Sequence, residues 1–155
     1  MLNPTQTAAM EIQPTVLLDP YDHLPAPRDT ILVVEDEAFV RDAASDILEG
    51  EGYRVLRARN AAEARAAFRQ QQGSVQLLLS DVVLPGQNGP SLANDLRAAR
   101  PELKTIFISG YPENTVTRYG LTAGQMSYLP KPFSAESLLG KVKQVLRSND
   151  EHISL

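Results

Sequence analysis

From Ile31 onward the chain alternates between two patterns. Short runs are apolar on both faces, and the longer segments that follow carry apolar residues at helical spacing. "ILVV" (Ile31–Val34) is the first such run and reads as a central parallel strand, buried on both sides. In "EAFVRDAASDILEG", Val40, Ala43, Ala44, Ile47 and Leu48 recur at helical spacing, and Gly50 and Gly52 stand where that helix should stop. "YRVLR" (Tyr53–Arg57) alternates apolar and polar, as an edge strand does. "NAAEARAAFRQ" opens with Asn60 three residues before Glu63, an N-cap with its capping-box partner.

The alternation continues to the end of the chain. "VQLLLS" predicts a third strand and "NGPSLANDLRAAR" a helix with Leu92 and Leu96 inward, ended by Pro101. "KTIFIS" (Lys104–Ser109) predicts a fourth strand. "ENTVTRYGLTAG" is a poor helix, rich in Thr and interrupted by Gly120. "MSYLP" predicts a fifth strand. "SAESLLGKVKQVLRS" is an amphipathic last helix, with Leu138, Val142, Val145 and Leu146 on one face and Ser134 as N-cap. Five strand–helix units imply a doubly wound α/β fold, with a five-stranded parallel sheet and helices on both faces.

The first 29 residues differ. They hold five of the 11 prolines and few periodic apolar positions, so they read as an irregular extension. Thr5–Ile12 could form a helical turn or two, and Thr15–Leu18 a short extended segment. The expected organisation is an extension over 1–29, one folded domain over 30–148 and a tail over 149–155.

Composition narrows the functional classes. A chain of 155 residues has room for one sizeable core. It contains no Cys, which excludes disulfide scaffolds and thiol catalysis, and only His23 and His152, which disfavours a His-rich zinc site. The net charge of −4 without a basic run argues against nucleic acid as main partner. No apolar run approaches a membrane span and no secretory signal opens the chain, so the expected compartment is the cytoplasm, with no membrane partner.

Ligands of open α/β sheets sit at the carboxyl ends of the strands. There the first strand delivers Glu35-Asp36, the second Arg57-Ala58, the third Asp81, the fourth Ser109-Gly110 and the fifth Lys131-Pro132-Phe133. Taken singly, each has a plain reading. Glu35-Asp36 fits solvated loop acids, Asp81 and Ser109-Gly110 fit turns, Lys131 fits a surface lysine and Tyr128 fits edge packing. Together they collect carboxylates, a hydroxyl and an ammonium on one edge. Close carboxylates repel unless a cation joins them, and Mg²⁺ accepts a few carboxylates plus phosphate oxygens. Asp81 would then be a nucleophile toward a phosphoryl group, with Lys131 neutralising charge and Ser109 donating a hydrogen bond.

These residues resemble the receiver domain of two-component response regulators. The resemblance covers about Thr30 to Ser148 and is carried by "VVEDE", "LLLSDVVLPGQNG", "IFISGYP" and "YLPKPF" in combination. It implies a flavodoxin-like fold with strand order 2-1-3-4-5 and five flanking helices. It also implies that Asp81 is the phosphoacceptor, and that Glu35, Asp36 and Asp81 hold Mg²⁺ with the backbone carbonyl of Val83. Ser109 matches the switch hydroxyl, Tyr128 the aromatic switch residue, and Lys131 the family lysine, with a cis bond to Pro132. Glu35 replaces the commoner Asp, which favours metal contact through water. Ser109 replaces the commoner Thr. Val83 and Tyr111 stand at the positions that tune phosphoryl lifetime, and neither orients a water, so a long-lived phosphoaspartate is expected.

The "SGYP" motif resembles receivers of hybrid histidine kinases. No helix-turn-helix or catalytic segment is legible, so the expected protein is a single-domain regulator and not an enzyme. Its phosphoryl donor would be a histidine kinase or phosphotransfer protein. Its output face would be the fourth helix, fifth strand and fifth helix, binding a partner protein or a second copy. Two rivals keep the same Asp81: a phosphate-sink or inhibitory receiver, and an Mg²⁺-dependent phosphohydrolase. The second requires an acid where Val83 stands.

Overall fold

The computed structural model describes residues 29–110 and 127–153, with the backbone alone for 149–153. Among the described residues nine elements follow in order: β1 (Thr30–Val34), α1 (Ala38–Gly50), β2 (Arg54–Ala58), α2 (Ala61–Gln70), β3 (Leu77–Asp81), α3 (Gly89–Ala99), β4 (Lys104–Ser109), β5 (Ser127–Pro130) and α4 (Ala135–Ile153). The strands form one parallel sheet in the order β2-β1-β3-β4-β5, which is the expected 2-1-3-4-5.

Alternate residues of the central strands serve opposite faces. On β1, Leu32 and Val34 enter one core with Ala64 and Phe68 of α2 and Leu92 and Leu96 of α3. Ile31 and Val33 enter the other, with Ala44 and Leu48 of α1 and Leu138 and Val142 of α4. This two-sided burial is why "ILVV" and "LLL" are unbroken apolar runs. Each such side chain contributes about 1.5–3 kcal/mol on leaving water. The edge strand β2 keeps only Ala58 buried.

Local signals explain the element ends. Asn60 caps α2 by accepting from the Glu63 N–H at 2.8 Å. The reciprocal half differs from the expected capping box, because Glu63 Oε1 accepts from the N–H of Arg59, one residue before the cap. Its other oxygen then meets the Arg59 guanidinium, and that ion pair draws the carboxylate outward. Asn88 caps α3 in the same way, through the Ser91 N–H at 2.7 Å, and Ser134 caps α4. The last helix runs on to Ile153 and does not stop at Ser148, since "SNDEHI" contains neither Gly nor Pro to end it. The expected poor helix over 113–124 and both expected pieces of the N-terminal extension lie outside the described residues, as does Tyr111.

Candidate functional site

The register aligns the carboxyl ends of all five strands of the sheet. Val34 stands beside both Ala58 and Ser80, Asp81 beside Ile108, and Ser109 beside Pro130. The backbone continues the ladder just past the strands. Glu35 donates its N–H to Ala58 O at 3.0 Å, Val82 to Ile108 O at 3.1 Å, and Lys131 to Ser109 O at 2.9 Å. These bonds fix where the polar side chains emerge.

Glu35, at the end of β1, is fully buried. Its Oε2 accepts from the Glu37 N–H at 3.1 Å. Its Oε1 faces the Lys131 ammonium at 2.9 Å as an ion pair but has no aligned hydrogen-bond donor. Burial is the main reason its carboxyl is pushed up to about 7. Lys131 and the Glu37 N–H pull the other way, and the charge of Asp81 adds to the rise. Asp81 is nearly buried; its Oδ1 accepts from the Val83 N–H at 3.2 Å and its Oδ2 from Lys131 Nζ at 3.0 Å. Burial works against the charge of Lys131, but its pairing with Glu35 and Asp81 outweighs that and holds the ammonium above its usual range.

Glu35, Asp36 and Asp81 each offer a carboxylate oxygen, and the three atoms lie within 4.8 Å of one another. Three hard oxygen donors this close, together with a buried Glu35 Oε1 that has no aligned donor, fit a hard divalent cation. Asp36 is exposed and gives the cluster its open side. Ser109 is buried at the end of β4, and the Tyr128 hydroxyl lies 3.5 Å from its backbone carbonyl. The Lys131–Pro132 bond is cis.

The structure therefore brings Glu35, Asp36, Asp81, Val83, Ser109, Tyr128 and Lys131 to one edge. Arg57 does not join them. Its guanidinium turns to α1 and binds Asp42, Asp46 and Glu49 at 2.8–3.1 Å. Four features escaped sequence reasoning. Glu37 lies 3.6 Å from Lys131, and Arg41 donates to the Glu35 carbonyl at 2.8 Å. Phe39 is 86% exposed and edges an apolar depression of about 300 Å³ with Val40, Ala43, Pro132 and Phe133, beside Lys131. Gly89 packs so tightly that a Cβ there would stand 2.2 Å from the Asp81 carbonyl oxygen. The second Glu of "VVEDE" and the Gly of "QNGP" are the visible signals for Glu37 and Gly89.

The family model described as the response regulator receiver domain matches residues 31–143. The chain belongs to this family. Receiver relatives span several kinds of larger protein. Over 121 residues the chain is 39% identical to the sensor kinase CckA of Brucella abortus, covering 78% of this chain and 13% of that protein. Over 122 residues it is 37% identical to the phosphate regulon transcriptional regulatory protein PhoB of Pseudomonas aeruginosa, covering 76% and 52%. The chain thus spans about half or less of these curated relatives. Among solved receivers, that of the hybrid histidine kinase CckA is 36% identical with a TM-score of 0.65, covering 76% of this chain and 99% of that one. A CheY-like receiver of Methanospirillum hungatei is 32% identical with a TM-score of 0.70, covering 80% and 98%. Among the described residues, no helix is long and apolar enough to cross a membrane.

Proposed function

We propose that this receiver accepts a phosphoryl group on Asp81 from a phosphohistidine of a kinase or phosphotransfer protein, and that the transfer switches a protein-binding surface. One observation carries the reading: Asp81 meets the Lys131 ammonium at 3.0 Å inside a cluster of three carboxylates suited to a divalent cation.

Asp36, Asp81 and the carbonyl of Val83 would hold Mg²⁺, with Glu35 contributing more through water because of its longer side chain and its tie to Lys131. When bound, the ion neutralises charge on the phosphoryl oxygens. In the transfer, an Asp81 carboxylate oxygen attacks phosphorus as the P–N bond to the donor imidazole breaks. The imidazole nitrogen keeps the bonding pair and takes up a proton, and Asp81 becomes an acyl phosphate. Lys131 balances the charge that arrives, and the Ser109 hydroxyl donates to a phosphoryl oxygen. Tyr128, whose hydroxyl already lies near the Ser109 backbone, follows inward. Residues 113–124, β5 and α4 would form the output face, offered to a partner protein or a second copy. The chain is then a signalling phosphoacceptor and turns over no released substrate.

Backbone amide spectra with Mg²⁺ and beryllium fluoride, a phosphoryl mimic, test the switch. Shifts at Ser109 and Tyr128 are expected, and they should vanish in Asp81→Asn. Spectra that do not respond would refute the reading.

A further inference from the structure

The loop from Val82 to Asn88 joins the phosphoacceptor strand to α3 and carries Val83. Its two ends are closed on each other, since the Gly89 N–H donates to Val82 O at 2.8 Å. Leu84 is buried in the core. Gly86 takes φ +84°, a left-handed turn that a side chain would strain, and Gln87 N–H donates to Pro85 O at 3.0 Å.

The Gln87 side chain ties the outer bend of this loop to two helices at once. Its amide oxygen accepts from Arg65 Nη2 on α2. Its amide nitrogen donates to Ser91 Oγ at 2.8 Å and to Asp95 Oδ2 at 3.0 Å, both on α3. Arg65 completes the ring by donating to the same Asp95 oxygen at 2.9 Å. A single side chain thus satisfies both ends of its amide within one network that spans the loop, α2 and α3. At the inner end, the Val83 N–H reaches Asp81 Oδ1 at 3.2 Å. Only Leu84, Pro85 and Gly86 separate Val83 from the clasped residue.

We propose that Gln87, clasped by Arg65 and Asp95, is a positioning residue that presets the Val83 peptide beside Asp36 and Asp81 for a divalent cation. The inference rests on the reading of Asp36, Asp81 and Val83 as the Mg²⁺-holding set. Exposed ion pairs contribute little to global stability, so the clasp acts locally. A ligand carbonyl held in place loses less entropy on binding than one on a free loop. Groups that orient metal ligands from outside typically change affinity by 10–100-fold. This one is half-exposed and acts across three residues, so a loss of roughly three- to tenfold is expected.

The test is calorimetric titration of the full chain with MgCl₂. Wild type is compared with Gln87→Met, Arg65→Ala and Arg57→Ala, with phosphorylation of each by a small phosphodonor followed in parallel. Gln87→Met keeps the bulk and loses the three hydrogen bonds. Arg65→Ala keeps Gln87 and removes one anchor. Arg57→Ala breaks a comparable surface network away from the loop. Weaker Mg²⁺ binding in the first two alone, with faster deuterium exchange over 82–88 and unchanged melting, is the expected result. Equal affinity in Gln87→Met and wild type, or an equal loss in Arg57→Ala, overturns the inference while leaving the phosphoacceptor reading intact. A wild type that takes up neither Mg²⁺ nor phosphoryl overturns both.

Discussion

The Lys131 ammonium stands 3.0 Å from Asp81 Oδ2, although 50 residues separate the two in sequence. It is also the cation that pairs with buried Glu35. Replacing it with the apolar side chain of Met removes the compensation of two carboxylates at once. Lys131→Met should lose phosphorylation and lower the melting temperature of the metal-free protein, by about 1–3 kcal/mol in stability. Mass spectrometry and thermal denaturation check the two effects. A variant that is phosphorylated at the wild-type rate contradicts the role given to Lys131.

Glu35 makes stability depend on pH. Its carboxyl sits at about 7 in the fold against 4.5 in the open chain, chiefly through burial. The folded state therefore binds more protons between these values. Stability is full below about 4.5 and is lost as pH rises toward 7, with a slope of at most about 1.4 kcal/mol per pH unit for one proton. Chelator-treated protein melted from pH 4.5 to 8 should show this decline, and Glu35→Gln should flatten it. A decline of equal size in Glu35→Gln would assign it to other groups.

Gly89→Ala places a Cβ at 2.2 Å from backbone oxygen of Asp81, where no flexible side chain can yield. The first turn of α3 must move away from the end of β3. A loss of roughly 1–3 kcal/mol is expected, as for other overpacked sites, together with slower phosphorylation. Unchanged melting would mean that the loop relaxes freely.

Much of this arrangement is legible in the sequence because burial on two faces leaves a plain record. "ILVV" and "LLLSD" must be central, and their order with the helices leaves few topologies. The strand ends then deliver Asp81 and Lys131 to one edge without any knowledge of distances. Contacts set by side-chain direction are less visible. Arg57 ends a strand like the others, yet it turns to α1 because three acids wait there. The Gln87 network joins residues 65, 87, 91 and 95 across two helices, and no local pattern announces it. The end of α4 is hidden for the opposite reason: polar residues after Ser148 look like a tail, but nothing there stops a helix.

Val83 is 41% exposed beside Asp81 and carries no polar side-chain atom to orient a water. The acyl phosphate should therefore decay slowly. Val83→Asn should shorten its half-life several-fold by supplying an amide at the attacking side. Loss of the phosphorylated mass after donor removal measures this. Faster decay in wild type than in the variant would contradict it.

Every role proposed for this site depends on Asp81 as the phosphoacceptor. Its most direct test is intact mass after incubation with a small phosphodonor and Mg²⁺, run beside Asp81→Asn and a chelator control. A gain of one phosphoryl group is expected in wild type and none in the variant or with chelator. A gain that persists in Asp81→Asn, or no gain even from a phosphohistidine protein, would contradict it.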